Sequence, residues 1–161
     1  MLSDVDLAEV RRLLPPPPPP QGGYVSAVVG GTLVMTAGMT PRVDGVLQHV
    51  GRLGAGVTIA QGRSAAAIAA ENALSAAISV VPPDQRLDRV LQLRVYVNAV
   101  PGFGEHSAVA DGASARLHEL LGEHGAAARV AVGVASLPKS ACVEVELCCS
   151  LLGRDAVTRE E

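Results

Sequence analysis

The sequence predicts an α+β fold: one mixed β-sheet with two helices packed on one of its faces. Three observations carry this. Runs of β-branched and apolar residues with strand periodicity occur near both ends of the chain and in its middle. Two long stretches with helical spacing separate them. A diglycine hairpin signal joins the first two strands, so the sheet cannot be purely parallel. The implied order is β-β-(β)-α-β-α-β-β.

Each element follows from its residues. Leu7, Val10 and Leu14 lie at helical spacing in residues 5–14, behind a cap at residues 3–6. Residues 15–20 are six consecutive prolines, which stop the helix and impose an extended polyproline conformation; the run reads as a stiff connector laying the helix against the body, in preference to a ligand for a proline-recognising module. Residues 24–29 and 32–37 form two strands flanking Gly30-Gly31, and a third short strand is expected at 46–50. Thr58-Ile-Ala-Gln61 is a capping box for an alanine-rich helix over 62–81, ended by Pro82-Pro83. Its Ala65, Ile68, Ala69, Asn72 and Ala76 would let it sit close on a sheet. In residues 89–98, Leu91, Leu93, Val95 and Val97 share one face, and Gln92, Arg94, Tyr96 and Asn98 the other. A second helix is expected over 105–123 with Gly125 as its C-cap. The domain organisation is a short helix and polyproline connector at 1–21, the main domain at 22–150, and a polar tail at 151–161.

Composition narrows the function. Of 161 residues, 48% are hydrophobic and 18% charged, which suits one globular domain. No uncharged apolar run reaches the roughly 20 residues needed to cross a bilayer. The acidic start, MLSDVD, is unlike a secretory signal, so a cytoplasmic location is expected. Cys142, Cys148 and Cys149 have no metal-type spacing and read as free thiols in a reducing compartment. A net charge of −3 and only three aromatics, Tyr24, Tyr96 and Phe103, argue against nucleic acid as a partner. His49, His106, His118 and His124 form no ligand pair, so no metal is expected. Ser64, Ser75 and Ser79 lack the His and Asp partners of a serine nucleophile.

The stretch RVAVGVASLPKSACVEVELCC, residues 129–149, reads as a closing hairpin. Val130, Val132 and Val134 share one face of its first strand, and Val143, Val145 and Leu147 one face of its second; both faces are expected to meet the helices. Arg129, Ala131, Glu144 and Glu146 would then share the opposite face, which is either left to solvent, as one-sided burial of a sheet allows, or covered by another subunit with Arg129 at the rim of a cleft.

These residues resemble the RidA (YjgF) family of reactive-intermediate imine/enamine deaminases. The resemblance rests on Arg129, Leu137-Pro138-Lys139 and Val143-Glu144-Val145-Glu146, and on Gly22-Gly23-Tyr24-Val25 with Thr36-Ala37-Gly38-Met39-Thr40-Pro41 upstream. Asn72-Ala-Leu74, Leu87-Asp88-Arg89-Val90 and Val95-Tyr96-Val97 are similar to the middle of the family. It covers residues 22–147 and implies a chorismate-mutase-like subunit, a homotrimer built round a central barrel, and clefts between subunits.

The resemblance also implies roles. Arg129 would grip a substrate carboxylate, Glu144 would orient or activate water, Tyr24 would line the cleft, and the Gly38 backbone would face the ligand. The implied activity is hydrolysis of 2-imino or enamino acids to 2-keto acids and ammonia, without metal or organic cofactor. The alternative is a non-deaminase trimer that binds a small carboxylate or acts on another imine or ketone. Ala37 and Ala131 stand where many family deaminases have Ser and Cys. Ser114 is the nearest counterpart of the family's asparagine on the second helix, with Asp111 as the alternative.

Overall fold

The computed structural model describes residues 7–153. In chain order the elements are α1 (Leu7–Leu13), β1 (Ala27–Gly30), β2 (Leu33–Thr36), β3 (Arg42–Val43), β4 (Val46–Leu47), β5 (Arg52–Leu53), β6 (Gly56–Val57), α2 (Ile59–Ser79), β7 (Gln85–Asn98), α3 (His106–Leu121), β8 (Ala128–Val134) and β9 (Val143–Gly153). The expected cap at 3–6 and most of the expected tail lie outside the described residues. The last strand runs on through Leu151, which is buried, so the polar tail begins later than its composition suggests.

The main sheet has the order β1-β2-β9-β7-β8. It is mixed: β8 runs parallel to β7, and the other pairs are antiparallel. The expected closing hairpin does not form. β8 and β9 instead flank the long central strand β7, so the segment between them crosses from one side of β7 to the other. Hydrogen bonds to β7 hold both strands, and 14 residues of β7 are long enough to carry two partners.

Local chemistry accounts for most boundaries. Thr58 caps α2 with the reciprocal Gln61 contact that the capping box requires. The first hairpin turns on Gly31-Thr32, one position later than read, with Gly31 at φ +60. The third strand is shorter than expected. Val46–Leu47 pairs with Arg42–Val43 over Asp44-Gly45, whose φ values of 50 and 80 fit a tight two-residue hairpin. The second helix ends at Gly122, φ +56, rather than at Gly125, which closes a following 3-10 turn.

The core lies between the sheet and α2 with α3. Ala65, Ala69, Ala73 and Ala76 are fully buried, and Gly112 sits directly against the Arg63 backbone, so the two helices touch almost without side chains between them. On β7, Leu93, Val95 and Val97 are buried as expected. Leu91 is not: a register shift between Val90 and Gln92 turns it outward, to 41% exposure.

The faces of β9 are as expected, with Val143, Val145 and Leu147 inward. Those of β8 are reversed. Arg129, Ala131 and Gly133 pair with Leu93, Val95 and Val97 and therefore face the helices, while Val130 and Val132 lie open on the far side at 42% and 40%. The reason is proximity. A Cβ on Gly133 would collide with the His106 ring of α3, so only small residues fit that side of the edge strand.

Candidate functional site

The site is built where β2 parts from β9. Met35 pairs with Cys148 and Met39 with Val145, leaving one residue more on the first strand than on the second. The chain therefore bulges at Ala37-Gly38. The Leu147 N–H, otherwise orphaned there, donates to Thr36 Oγ1 at 3.0 Å. Glu144 projects under the bulge. Its Oε1 lies where a side chain on residue 38 would have to be, so the glycine is required for close approach rather than for its dihedral freedom.

Glu144 forms one wall of a cavity of about 400 Å³. Burial, and then the nearby charge of Glu146, raises its carboxyl above the ordinary carboxylate range. Glu146 itself is bound by Arg94 and takes no part in the cavity. Tyr24 lines the same space, with its hydroxyl accepting from the Gln21 N–H at 3.1 Å.

The polyproline run forms the opposite wall. Polyproline has no internal hydrogen bonds, so its carbonyls are open to side-chain donors. Ser75 donates to the Pro15 carbonyl at 2.7 Å and Ser26 to the Pro18 carbonyl at 2.9 Å, which lashes the run over α2 and the start of β1. The third wall is the loop at 40–42, held from behind by Asn72. That side chain is 2% exposed and donates from Nδ2 to the carbonyls of Thr40 at 3.1 Å and Arg42 at 3.0 Å. Arg42 and Lys139 also line the cavity. Sequence reasoning missed the proline wall, Arg42 and Lys139 as site components. A lone asparagine on the apolar stripe of α2 was the available signal for Asn72.

Arg129 is elsewhere. It sits on the edge strand, on the helix side of the sheet, whereas Glu144 pairs with Tyr96 on the open side. Its guanidinium donates to Asp111 Oδ1 at 2.8 Å, Ser114 Oγ at 3.0 Å and Ser107 Oγ at 2.7 Å, all on α3. The contact with Arg129 lowers the Asp111 carboxyl below its ordinary range. Thus Tyr24, Gly38 and Glu144 come together in one cavity, and Arg129 with Ser114 forms a separate cluster. Ala37 and Ala131 pack against the core and do not line the cavity.

The thiols and the metal-ligating residue types are placed as follows. The thiols of Cys142 and Cys149 are pushed up by burial to about 11 and about 12, which removes them as nucleophiles at neutral pH. Among the described residues no group of three or more His, Cys, Asp or Glu is arranged to hold a metal ion.

Comparison with known proteins places the chain in a family. Residues 12–151 match the model of the YjgF/chorismate-mutase-like family, described as a putative endoribonuclease. The chain belongs to the YjgF family. A Trypanosoma cruzi relative, Protein TCP17, is 38% identical over 143 residues, spanning 86% of this chain and 89% of the relative. Among solved structures, a protein of unknown function from Agrobacterium tumefaciens superposes with a TM-score of 0.77 at 33% identity, covering 93% of this chain and 95% of that one. A Shewanella oneidensis protein carrying the same endoribonuclease description gives 0.78 at 27% identity, covering 88% and 97%. The mixed sheet with helices on one face is thus the YjgF, chorismate-mutase-like fold. Among the described residues no helix is long and apolar enough to cross a membrane.

Proposed function

We propose that this YjgF-family chain is a 2-imino/enamino-acid deaminase, hydrolysing reactive imines to 2-keto acids and ammonia. One observation carries the reading: a desolvated Glu144 carboxyl, raised above its ordinary range, stands against the bare backbone of Gly38 in a partly open cavity. A carboxylate so placed is a competent base near neutral pH. Water adds to the C=N carbon while Glu144 takes a proton from it and the nitrogen takes up one. The nitrogen's proton comes from solvent, giving a carbinolamine; Glu144 then returns its proton to the amine nitrogen, and as the C–N bond breaks the hydroxyl proton passes to solvent, leaving the keto acid and ammonia.

The substrate carboxylate needs a cationic clamp, and a planar guanidinium suits it. Arg129 faces away from Glu144 in its own subunit, so in this reading each cleft joins Glu144, Gly38 and Tyr24 of one subunit to Arg129 of a neighbour. The open sheet face supports such an assembly: Val28, Met35, Val130 and Val132 are 40–55% exposed on an otherwise well-packed sheet. A homotrimer with clefts between subunits is therefore proposed with the activity.

A second reading is a trimer that binds a carboxylate without deaminating. It is favoured by the engagement of the Arg129 guanidinium with Asp111, Ser107 and Ser114. The test is ammonia release from several imino acids generated in situ by a pyridoxal-phosphate dehydratase. Deamination predicts acceleration by the wild-type protein and loss of it in Arg129→Ala, with the assembly intact. No acceleration with any imino acid selects the second reading.

A further inference from the structure

We propose that the ligand carries a second anionic group, distal to the reacting carbon, and that Arg42 and Lys139 of the cavity bind it. The proposal rests on the deaminase reading for the position of the reacting carbon, beside Glu144, and for the use of Arg129 on the first carboxylate.

Both cations line the same cavity as Glu144, yet among the described residues neither forms an ion pair. Arg42 is anchored at one corner, where Nη1 donates to the Gly45 carbonyl at 2.7 Å. Its Nε is shut off from solvent and has no acceptor. A guanidinium lodged this way is under-satisfied, because a buried donor without a partner has lost its water and gained nothing. An anion entering the cavity supplies the acceptor after a small turn of the guanidinium.

Lys139 lines the same cavity. It and Ser140 hold left-handed backbone conformations, φ 53 and 59, which non-glycine residues adopt infrequently and which cluster at ligand sites. Asn72 fixes the loop that carries Arg42, through the Arg42 carbonyl itself. The walls between the two cations and Glu144 are largely apolar, formed by the proline run and Met39, so the charges act in a poorly solvated space. Asp44 also lines the cavity, at the tip of the β3–β4 turn, and leaves the site with two cations facing two carboxylates before a ligand binds. A ligand with a single carboxylate on Arg129 would leave Arg42 and Lys139 without an ion-pair partner and Arg42 Nε without an acceptor. A distal carboxylate or phosphate would compensate them.

The experiment is calorimetric titration of the assembled protein with stable keto-acid probes: 2-oxoglutarate, 2-oxopentanoate (the same carbon chain without the distal carboxylate) and phosphohydroxypyruvate. The proposal expects 2-oxoglutarate or phosphohydroxypyruvate to bind about tenfold or more tighter than 2-oxopentanoate, the effect of one charge-assisted contact. Whichever of the two binds tighter identifies the distal anion as carboxylate or phosphate. The preference should vanish in Lys139→Gln and in Arg42→Gln, with 2-oxopentanoate affinity retained; Lys139 is exposed, so its variant does not depend on refolding of the core. Equal binding of all three acids, or a preference that survives both substitutions, overturns the proposal. Arg129→Ala separates it from the reading beneath it. Equal weakening of all three acids in that variant supports the clamp, and a preference shown by a wild-type protein that accelerates no ammonia release removes the deaminase reading but not the distal anion site. Binding of none of the acids overturns both.

Discussion

The Glu144 carboxylate occupies the space beside Gly38 that any side chain there would need. The relationship is tight on one side only. Glu144 is the flexible partner, so a Cβ at residue 38 would displace the carboxylate rather than the backbone. Gly38→Ala is therefore expected to fold and melt close to wild type while losing about a hundredfold in turnover, the scale of an ångström-sized misplacement. Kinetics alongside a circular-dichroism melt measure this, and undiminished kcat would show that the carboxylate position is not critical.

The raised carboxyl of Glu144 makes a pH prediction with a definite sign. Burial first, and then Glu146, makes the folded state hold this proton more tightly than the unfolded chain does. Stability from this group is full below the unfolded value of about 4.3 and is lost as pH rises through the higher folded value. Glu144→Gln removes that loss, so the variant should melt higher than wild type at neutral pH, and the gain should disappear below about pH 4. Its turnover should fall at all pH values, whereas the wild-type rate should climb with pH through the raised carboxyl. Equal melting temperatures at neutral pH would contradict the desolvation.

Much of this was legible in the sequence, and the misreadings share a physical cause. The capping box fixed the start of α2, and period-two alternation correctly placed Val143 and Val145 inward and Glu144 outward. On β8 the same alternation failed. An edge strand whose second face is also apolar offers two equally regular patterns, and what decides between them is distance to α3. Gly133 and Ala131 are small because a helix lies close, not because their face is exposed. The cavity was hidden for a different reason. Its walls come from the proline run, from residue 42 and from residue 139, which are far apart in the chain; the contacts of Ser75 and Ser26 place the first and those of Asn72 the second.

The Arg129–Asp111 pair sets how much charge the clamp can offer. Asp111 is half exposed, so the pair contributes at most about 1 kcal/mol to stability. Its carboxyl is lowered chiefly by the hydrogen bond from Arg129, so that contribution is present at neutral pH and lost as pH falls through the lowered value. Asp111→Asn keeps the side-chain shape and leaves Ser107 and Ser114 in place. The expected result is a small change in melting temperature and a several-fold lower KM for carboxylate substrates at unchanged kcat. A higher KM would instead make Asp111 a positioning residue for the guanidinium.

The opposed faces of Arg129 and Glu144 give the sharpest test of assembly. If each cleft takes Arg129 from one subunit and Glu144 from its neighbour, two inactive variants can repair each other. Arg129→Ala subunits still carry Glu144, and Glu144→Gln subunits still carry Arg129. Co-expressed, they should form mixed trimers with a measurable fraction of wild-type turnover, although each alone is inactive. Adding Val132→Asp to both chains places a charge on the open apolar face of β8, where Val132 is 40% exposed. That change should leave the subunit fold intact by circular dichroism, reduce the mass in light scattering to one chain, and abolish the recovered activity. Recovery that persists in monomers would place both residues in one subunit's site and overturn the shared cleft.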